Sequence, residues 1–235
     1  MADKNENFDI VVIGGGIVGL ASAYKIVSSH PELRIAVMEK EKTLCRHQTG
    51  HNSGVIHSGL YYKPGSAKAI YCAKGRKELI SFAKQYDIPH KICGKIIVAA
   101  AKRELTHLER IYNNGIENEV EGIEKISSEK IKELEPFCDG IAGLFVPCTG
   151  VIDFVKVAEK LAELIKQRPE PQNEILLEHE VTGFDKHDFY TEVRTNKGIF
   201  STKYIINCAG LQSDRVAKAD GIRPDVRIIP FRGDF

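Results

Sequence analysis

Apolar residues open the chain in a short run, Phe8 to Ile13, that leads straight into three glycines. A short unbroken apolar run of this kind is the pattern of a strand buried on both faces of a parallel sheet. From Ile17 the period lengthens. Ile17, Leu20, Ala21, Tyr24 and Val27 recur at helical spacing as far as Ser29, with small residues facing inward, and His30-Pro31 stops the helix. Arg34 to Met38 is a second apolar strand, closed by Glu39. The pattern predicts a strand-helix-strand unit of about thirty residues with a right-handed crossover.

Further along the signal alternates between the two periods. Thr43 to Tyr62 follows neither and is rich in Gly, Ser, Asn and His, so it reads as a long loop. Ser66 to Tyr86 reads as a helix with an apolar stripe of Ile70, Ala73, Leu79, Ile80 and Ala83, and Lys95 to Ala101 as a strand. Helices follow over Glu104 to Glu117 and Ser128 to Leu134, the second capped by Ser127 or Ser128. Gly143 to Val146 is a short strand, and Asp153 to Gln167 a helix capped by Asp153.

After a Pro-rich turn at 168–173, strands are predicted over Glu174 to Glu180, Tyr190 to Thr195 and Ile199 to Ser201, the last two joined by an Asn196-Lys197-Gly198 hairpin turn. Tyr204 to Ala209 is another buried strand, running into Gly210 and a short helix over Gln212 to Ala219. The chain closes on Ile228 to Phe235, which reads as the middle of a strand and suggests that the sequence is truncated.

Composition narrows the function without choosing it. The 235 residues carry 33 Lys and Arg against 32 Asp and Glu, a net charge of +1, so no bulk field favours nucleic acid or an anionic membrane. The six cysteines have no metal-ligand spacing, and a chain of this length without a secretory leader is expected to keep them as thiols. The polar N-terminus and the lack of a long apolar run predict a cytosolic protein, with peripheral membrane contact left open.

The chemistry begins at Gly14-Gly15-Gly16-Ile17-Val18-Gly19, which fits G-x-G-x-x-G between a strand and a helix. Gly14 permits the tight turn, Gly16 the approach of backbone to a pyrophosphate, and Gly19 the close packing of helix on sheet. The helix N-terminus then offers free N–H groups and partial positive charge to phosphates. Glu39, at the end of the second strand, can accept both hydroxyls of an adenosine ribose. These features suit NAD and FAD equally.

The loop after Glu39 favours FAD. In NAD enzymes a short helix usually follows the second strand, whereas Arg46 to Tyr62 is a polar loop able to run beneath a flavin. Thr49, Asn52 and Ser53 can hydrogen-bond pyrophosphate or ribityl oxygens, and Gly54 and Gly59 permit close backbone approach. Of the loop histidines His47, His51 and His57, the last is the candidate base or charge stabiliser at the flavin's reactive edge, and its competing reading is a hydrogen-bonded structural histidine. No metal ligand set is evident. Later in the chain, Glu180-Val181 is placed to bracket an adenine edge with backbone groups. Cys208-Ala209-Gly210 offers small residues where a dinucleotide can pass, Cys208 being a packing position before it is a nucleophile.

The glycine turn with Glu39, the TGHNSGVIHSGLYY loop, PCTGVID at Pro147 to Asp153 and INCAGLQSDRVA at Ile206 to Ala217 together resemble FAD-dependent oxidoreductases of the D-amino-acid oxidase superfamily, most closely its L-2-hydroxyglutarate dehydrogenase/oxidase subgroup. The resemblance runs through essentially the whole chain. It implies an α/β fold: a doubly wound, Rossmann-like FAD-binding domain (1–90 and 150–222) interleaved with part of an α+β substrate domain (91–149 and 223–235). It implies that Gly14, Gly16, Gly19, Glu39 and Lys40 surround the ADP half of FAD, that Thr49, His51, Asn52 and Ser53 lie along the pyrophosphate and flavin, that Val181 meets the adenine, and that Ala209 and Gly210 approach from the later strand.

The reaction it implies is oxidation of a 2-hydroxy acid, L-2-hydroxyglutarate to 2-oxoglutarate, by hydride transfer to flavin N5, with His57 taking the hydroxyl proton. The electron acceptor is left open between oxygen, a quinone and an electron-transfer protein. Two alternatives stand beside this reading. One is an FAD-dependent glycerol-3-phosphate dehydrogenase, whose loop is similar at Ile56-His57 and Gly59-Leu60 but carries a basic residue where Gly54 stands. The other is a catalytically incomplete flavin-binding fragment.

Overall fold

The computed structural model of the chain describes residues 6–168 and 170–230. It divides into a discontinuous unit, residues 1–53 with 154–235, and an inserted unit, residues 54–153. In chain order the first segment supplies β1 (Glu6–Ile13), α1 (Ile17–Ser29) and β2 (Ile35–Glu39). The insertion follows with β3 (Val55–Ile56), α2 (Ala67–Gln85), β4 (His90–Lys91), β5 (Lys95–Ala99), α3 (Leu105–Glu117), β6 (Glu124–Ser127), α4 (Ser128–Leu134), β7 (Ala142–Val146) and β8 (Gly150–Ile152). The last segment adds α5 (Phe154–Lys166), β9 (Glu174–Leu177), β10 (Val181–Lys186), β11 (Thr191–Thr195), β12 (Gly198–Asn207) and α6 (Ser213–Ala219).

In the discontinuous unit six strands form one sheet in the order β10-β11-β12-β1-β2-β9. The β12, β1, β2 and β9 pairings are parallel, and β10-β11-β12 form an antiparallel edge. Parallel strands must be covered on both faces, and their composition shows it. All five residues of β2 are buried, and Val11 and Val12 of β1 are fully enclosed. Helix α1 packs against α5, and the buried residues of each recur at helical spacing, Leu20, Ala23 and Val27 on α1 and Val157, Leu161 and Ile165 on α5. The register sets Ile13 level with Met38 and Asn207, so β1, β2 and β12 end together. Ligands of open α/β sheets bind at such carboxyl ends.

The inserted unit holds two three-stranded antiparallel sheets, β3-β8-β4 and β5-β7-β6. Its core is a cluster of Leu60, Ala99, Leu108, Ile111, Val120, Leu144 and Val146.

Several sequence expectations change. The strand expected over Glu174 to Glu180 ends at Leu177, because Glu178 takes a left-handed backbone (φ 59°) that no strand accommodates, and Val181 opens a separate strand. The strands expected at Ile199 to Ser201 and Tyr204 to Ala209 are one ten-residue strand. The polar pair Thr202-Lys203 that seemed to divide them is absorbed by β1. The Thr202 hydroxyl donates to the carbonyl of Asp9 at 3.3 Å, and Lys203 pairs with the Asp9 carboxylate at 2.7 Å.

The stripe expected on α2 is turned by about one residue, since Ala69, Arg76 and Ala83 are the buried positions and Ile70 is exposed. A buried arginine hides such a face from a hydrophobicity pattern. The compact units also meet at residues 53/54 and 153/154 rather than at 90/91 and 149/150, because β3, α2 and β4 pack with the insertion. Residues 228–230 form no strand, and 231–235 lie outside the described residues.

Leu144 is fully buried and Phe137 fully exposed, both in the inserted unit. Leu144→Ala is expected to cost about 2–5 kcal/mol in urea denaturation, and Phe137→Ala less than about 0.5 kcal/mol.

Candidate functional site

The turn between β1 and α1 is built from close approaches that exclude side chains. Gly14 has φ +115°, its N–H donates to the Met38 carbonyl at 2.8 Å, and a Cβ there would collide with the Cys208 carbonyl at the end of β12. A Cβ on Gly19 would collide with the Gly14 carbonyl, so the first turn of α1 lies directly on the turn before it. Cys208 completes this contact, its Cβ standing 3.4 Å from where a Gly19 Cβ would be. Burial pushes the Cys208 thiol up, against a hydrogen bond with Ser22 that lowers it, so the sulfur is a protonated packing group.

Glu39 is fixed at the end of β2. Its Oε2 accepts the Gly15 N–H at 2.7 Å and its Oε1 the Glu41 N–H at 2.9 Å. An ionised carboxylate has about four acceptor positions, so two remain for other donors. Gly15 thereby joins the site, although sequence reasoning passed over it as the variable position of the motif. A Cβ on Gly15 would stand 2.6 Å from the Leu44 side chain and 2.9 Å from the Glu39 Cβ.

The polar loop after β2 folds back on this turn. The buried Thr49 hydroxyl accepts the Ile17 N–H at 3.0 Å and caps α1, where Gly16 has no side chain to do so. A Gly16 Cβ would stand 3.2 Å from that same oxygen. The N–H groups of Val18 and Gly19 have no intrahelical acceptor in this first turn. Cys45, with φ 63°, donates its N–H to the Gly15 carbonyl at 3.4 Å. No composition signal marks a cysteine that must be left-handed, and the sequence reading missed it.

The remaining loop residues hold the loop itself. Asn52 donates to the carbonyls of Gln48 and Thr49 at 3.0 and 2.7 Å, and His51 Nδ1 meets the His47 carbonyl at 3.0 Å. Ser53 is exposed. Lys40 pairs with Glu41 at 2.9 Å, and His47 meets the same carboxylate at 3.1 Å. Lys40, then His47, holds Glu41 below the usual carboxylate range.

The segment leading into β10 lies alongside. The N–H groups of Glu178 and His179 donate to the carbonyls of Glu41 and Glu39 at 3.0 and 2.9 Å, which brings Val181 into the neighbourhood of Glu39. Val181 itself packs on the sheet core. At the end of β12, Ala209 caps a single 3-10 turn and Gly210 is left-handed (φ 55°), 3.7 Å from the Gln48 side chain at its would-be Cβ. Gly14, Gly16, Gly19, Glu39, Thr49, Ala209 and Gly210 therefore converge on one end of one sheet. The arrangement suits an anionic dinucleotide: close backbone, free amides at a helix N-terminus, and an oriented carboxylate at the next strand.

His57, Gly54 and Gly59 belong to the inserted unit. The Gly54 carbonyl accepts the Ile152 N–H at 2.8 Å, so this glycine serves the β3–β8 pairing. Gly59 lets the chain pass α2, a Cβ there standing 3.4 Å from the Cys72 Cβ. His57 is accessible to solvent, and its backbone carbonyl accepts the Cys72 thiol at 3.5 Å. Desolvation of the ring, then the charge of Lys95, holds His57 below the ordinary histidine range. Lys95 is lowered by burial, and its ammonium lies 4.6 Å from the centre of the Tyr61 ring. Burial also raises the Cys72 and Cys148 thiols. All six cysteines are free.

No helix among the described residues is long and apolar enough to cross a membrane.

Known proteins resemble the chain throughout its length. It is 43% identical over 230 residues to the L-2-hydroxyglutarate dehydrogenase of Indibacter alkaliphilus, covering 97% of this chain and 57% of that protein. It is equally identical over 244 residues to the human mitochondrial L-2-hydroxyglutarate dehydrogenase, covering 99% of this chain and 52% of the relative, a 43% match. The chain thus spans about half the length of the curated relatives it matches. Among solved structures, an FAD-bound L-α-glycerophosphate oxidase from Mycoplasma pneumoniae superposes with a TM-score of 0.83 at 30% identity, over 92% of this chain and 57% of that one. L-proline dehydrogenase from P. horikoshii shares the fold, with a TM-score of 0.81 at 22% identity. The profile of the FAD-dependent oxidoreductase family matches residues 9–235, so the turn, loop and strand ends described above are those of a member: the chain belongs to the FAD-dependent oxidoreductase (DAO) family.

Proposed function

We propose that this chain supplies the FAD-binding part of an enzyme that oxidises L-2-hydroxyglutarate to 2-oxoglutarate. The observation that carries the reading is the 43% identity to L-2-hydroxyglutarate dehydrogenases over nearly the whole chain, in a sequence whose glycine turn and Glu39 have the shape a dinucleotide requires. In this reading the backbone at Gly14, Gly16 and Gly19 receives the pyrophosphate. Glu39, with Lys40 nearby, receives the adenosine ribose, and Val181 the adenine. Thr49, His51, Asn52 and Ser53 run along the pyrophosphate and flavin, the Thr49 hydroxyl keeping its proton to donate while its oxygen caps α1. Ala209 and Gly210 leave room for the cofactor at the end of β12.

FAD, when bound, takes up the two electrons of the oxidation. The chain's part in the chemistry is the proton. His57 accepts it from the 2-hydroxyl on an imidazole nitrogen, and a ring held below the ordinary histidine range is already neutral at pH 7. The electron acceptor is oxygen, a quinone or an electron-transfer protein. The cytosolic location expected from the sequence belongs to the same proposal, to be settled by fractionation. The mammalian relatives carry "mitochondrial" in their names.

A second reading, oxidation of glycerol 3-phosphate, is favoured by the similarity to the glycerophosphate oxidase structure. Turnover of the two substrates with an artificial electron acceptor separates them. Reduction by L-2-hydroxyglutarate is expected, and turnover of glycerol 3-phosphate alone would replace the first reading.

Two variants test the residues. Gly19→Ala puts a methyl group into the Gly14 carbonyl and is expected to abolish FAD uptake, followed by flavin absorbance. Full flavin content in that variant would remove the assignment of the turn. In the whole protein, His57→Ala is expected to lower kcat by about 10²-fold or more, in line with general-base loss.

The pH dependence follows from the sign of the shift. The base must be neutral, so kcat/KM should fall only as the pH drops through a value below the ordinary histidine range. Lys95→Met removes a positive neighbour and should move that acid limb to higher pH. An unmoved limb would separate His57 from the titration.

A further inference from the structure

The inserted unit has a surface pocket of its own, about 380 Å³ in volume. One wall is the segment after β3, with Tyr61, Lys63 and Pro64. The other is α3, which contributes His107, Arg110, Ile111 and Asn114. Arg110 and Ile111 each lie three or four residues from both His107 and Asn114, so the four share one side of the helix. The walls are tied together by Asn118, whose side-chain amide donates to the carbonyls of Gly59 and Tyr62 at 3.3 and 2.9 Å. The volume lies in the lower part of the range for small-molecule sites, roughly 300–1,000 Å³.

The charge of this pocket is one-sided. No carboxylate lines it. Among the described residues neither Lys63 nor Arg110 forms an ion pair, whereas other cations of the same unit do: Lys77 with Glu121 at 2.8 Å, Lys125 with Glu109 at 2.7 Å and Lys132 with Asp139 at 2.5 Å. Arg110 Nη2 lies 2.8 Å from His107 Nδ1. A guanidinium only donates, so Nδ1 is the acceptor and the ring proton sits on Nε2, which adds a donor. This contact also braces the guanidinium while leaving most of its N–H groups unspent. Each wall also carries apolar surface beside its donors: the Tyr61 ring and Pro64 next to Lys63, and Ile111 next to Arg110. The Lys95 ammonium over the Tyr61 ring orients that wall and adds positive potential.

We propose that this pocket binds a short aliphatic carboxylate, its carboxylate on Arg110 and Lys63 and its methylene groups along Tyr61, Pro64 and Ile111. The planar fork of Arg110 matches a carboxylate in a way a lone ammonium does not. The apolar wall distinguishes such a ligand from a bare inorganic anion. This site goes beyond the flavin reading and does not depend on it.

Calorimetric titration of the chain with glutarate at low ionic strength, in the absence of FAD, tests the proposal. Saturable binding at one site is expected, weakened about tenfold or more by Arg110→Ala and by Lys63→Ala. Arg110→Lys, which keeps the charge and loses the fork, should fall between. Arg103→Ala, an exposed arginine outside the pocket, should bind as the unaltered chain does. All three positions are exposed, so each of the four variants should keep its melting temperature. Absence of saturable binding would overturn the site, as would binding that both alanine variants leave unchanged. Inorganic phosphate displacing glutarate with equal affinity, or 1,5-pentanediol binding as well as glutarate, would overturn the carboxylate assignment.

Discussion

Two backbone turns in the discontinuous unit lie so close that no side chain fits between them. The first turn of α1 rests on the Gly14 carbonyl where Gly19 has no Cβ, and Gly14 in turn rests on the Cys208 carbonyl. This packing fixes the direction in which α1 leaves the sheet, and so decides where its free amides point. The capping of Ile17 by Thr49 and the Gly15–Glu39 hydrogen bond both presuppose it. Without the close approach, Glu39 would lose the Gly15 N–H that orients its Oε2, and the polar loop would have no helix end to close.

The same packing explains why residues far apart in sequence share one task. β12 enters the sheet beside β1, nearly two hundred residues later, and ends level with it. Cys208, Ala209 and Gly210 therefore arrive where the first glycines stand. The connection to β10 is anchored by hydrogen bonds to the carbonyls of Glu39 and Glu41, so the β2 end also organises the approach to Val181. Small residues at strand ends here follow from crowding by backbone, since a Cβ on Gly14 or Gly19 would run into a carbonyl oxygen.

Hydrophobic periodicity recovered β1, α1 and β2 with their glycine turn because local spacing and burial agree there: each residue's pattern is set by the element it belongs to. It failed on β10, on the unbroken length of β12 and on the face of α2. In the last two cases a polar residue is satisfied by a partner distant in sequence, or lies buried: Thr202 and Lys203 by Asp9, and Arg76 inside the α2 face near the Cys148 carbonyl. A pattern of hydrophobic and polar letters cannot register a polar group whose partner is supplied by another strand. The left-handed Glu178 and Cys45 are equally silent, since their backbone is imposed from outside the local sequence.

The sequence by itself determined the dinucleotide turn, the carboxylate at the second strand and the family likeness, because all three are written in residues whose chemistry acts locally. Glycine spacing and a strand-terminal glutamate mean nearly the same thing in any chain that folds this way. Only the tertiary structure decided which polar groups are already engaged. Thr49 caps a helix, Asn52 and His51 brace their own loop, Lys40 belongs to an ion pair with Glu41, and Gly15 holds Glu39. It also decided that Tyr61 and Lys63 meet one face of α3 across some fifty residues of chain. Such facts depend on distances between separate elements, and those are set by packing in three dimensions rather than by the order of residues along the chain.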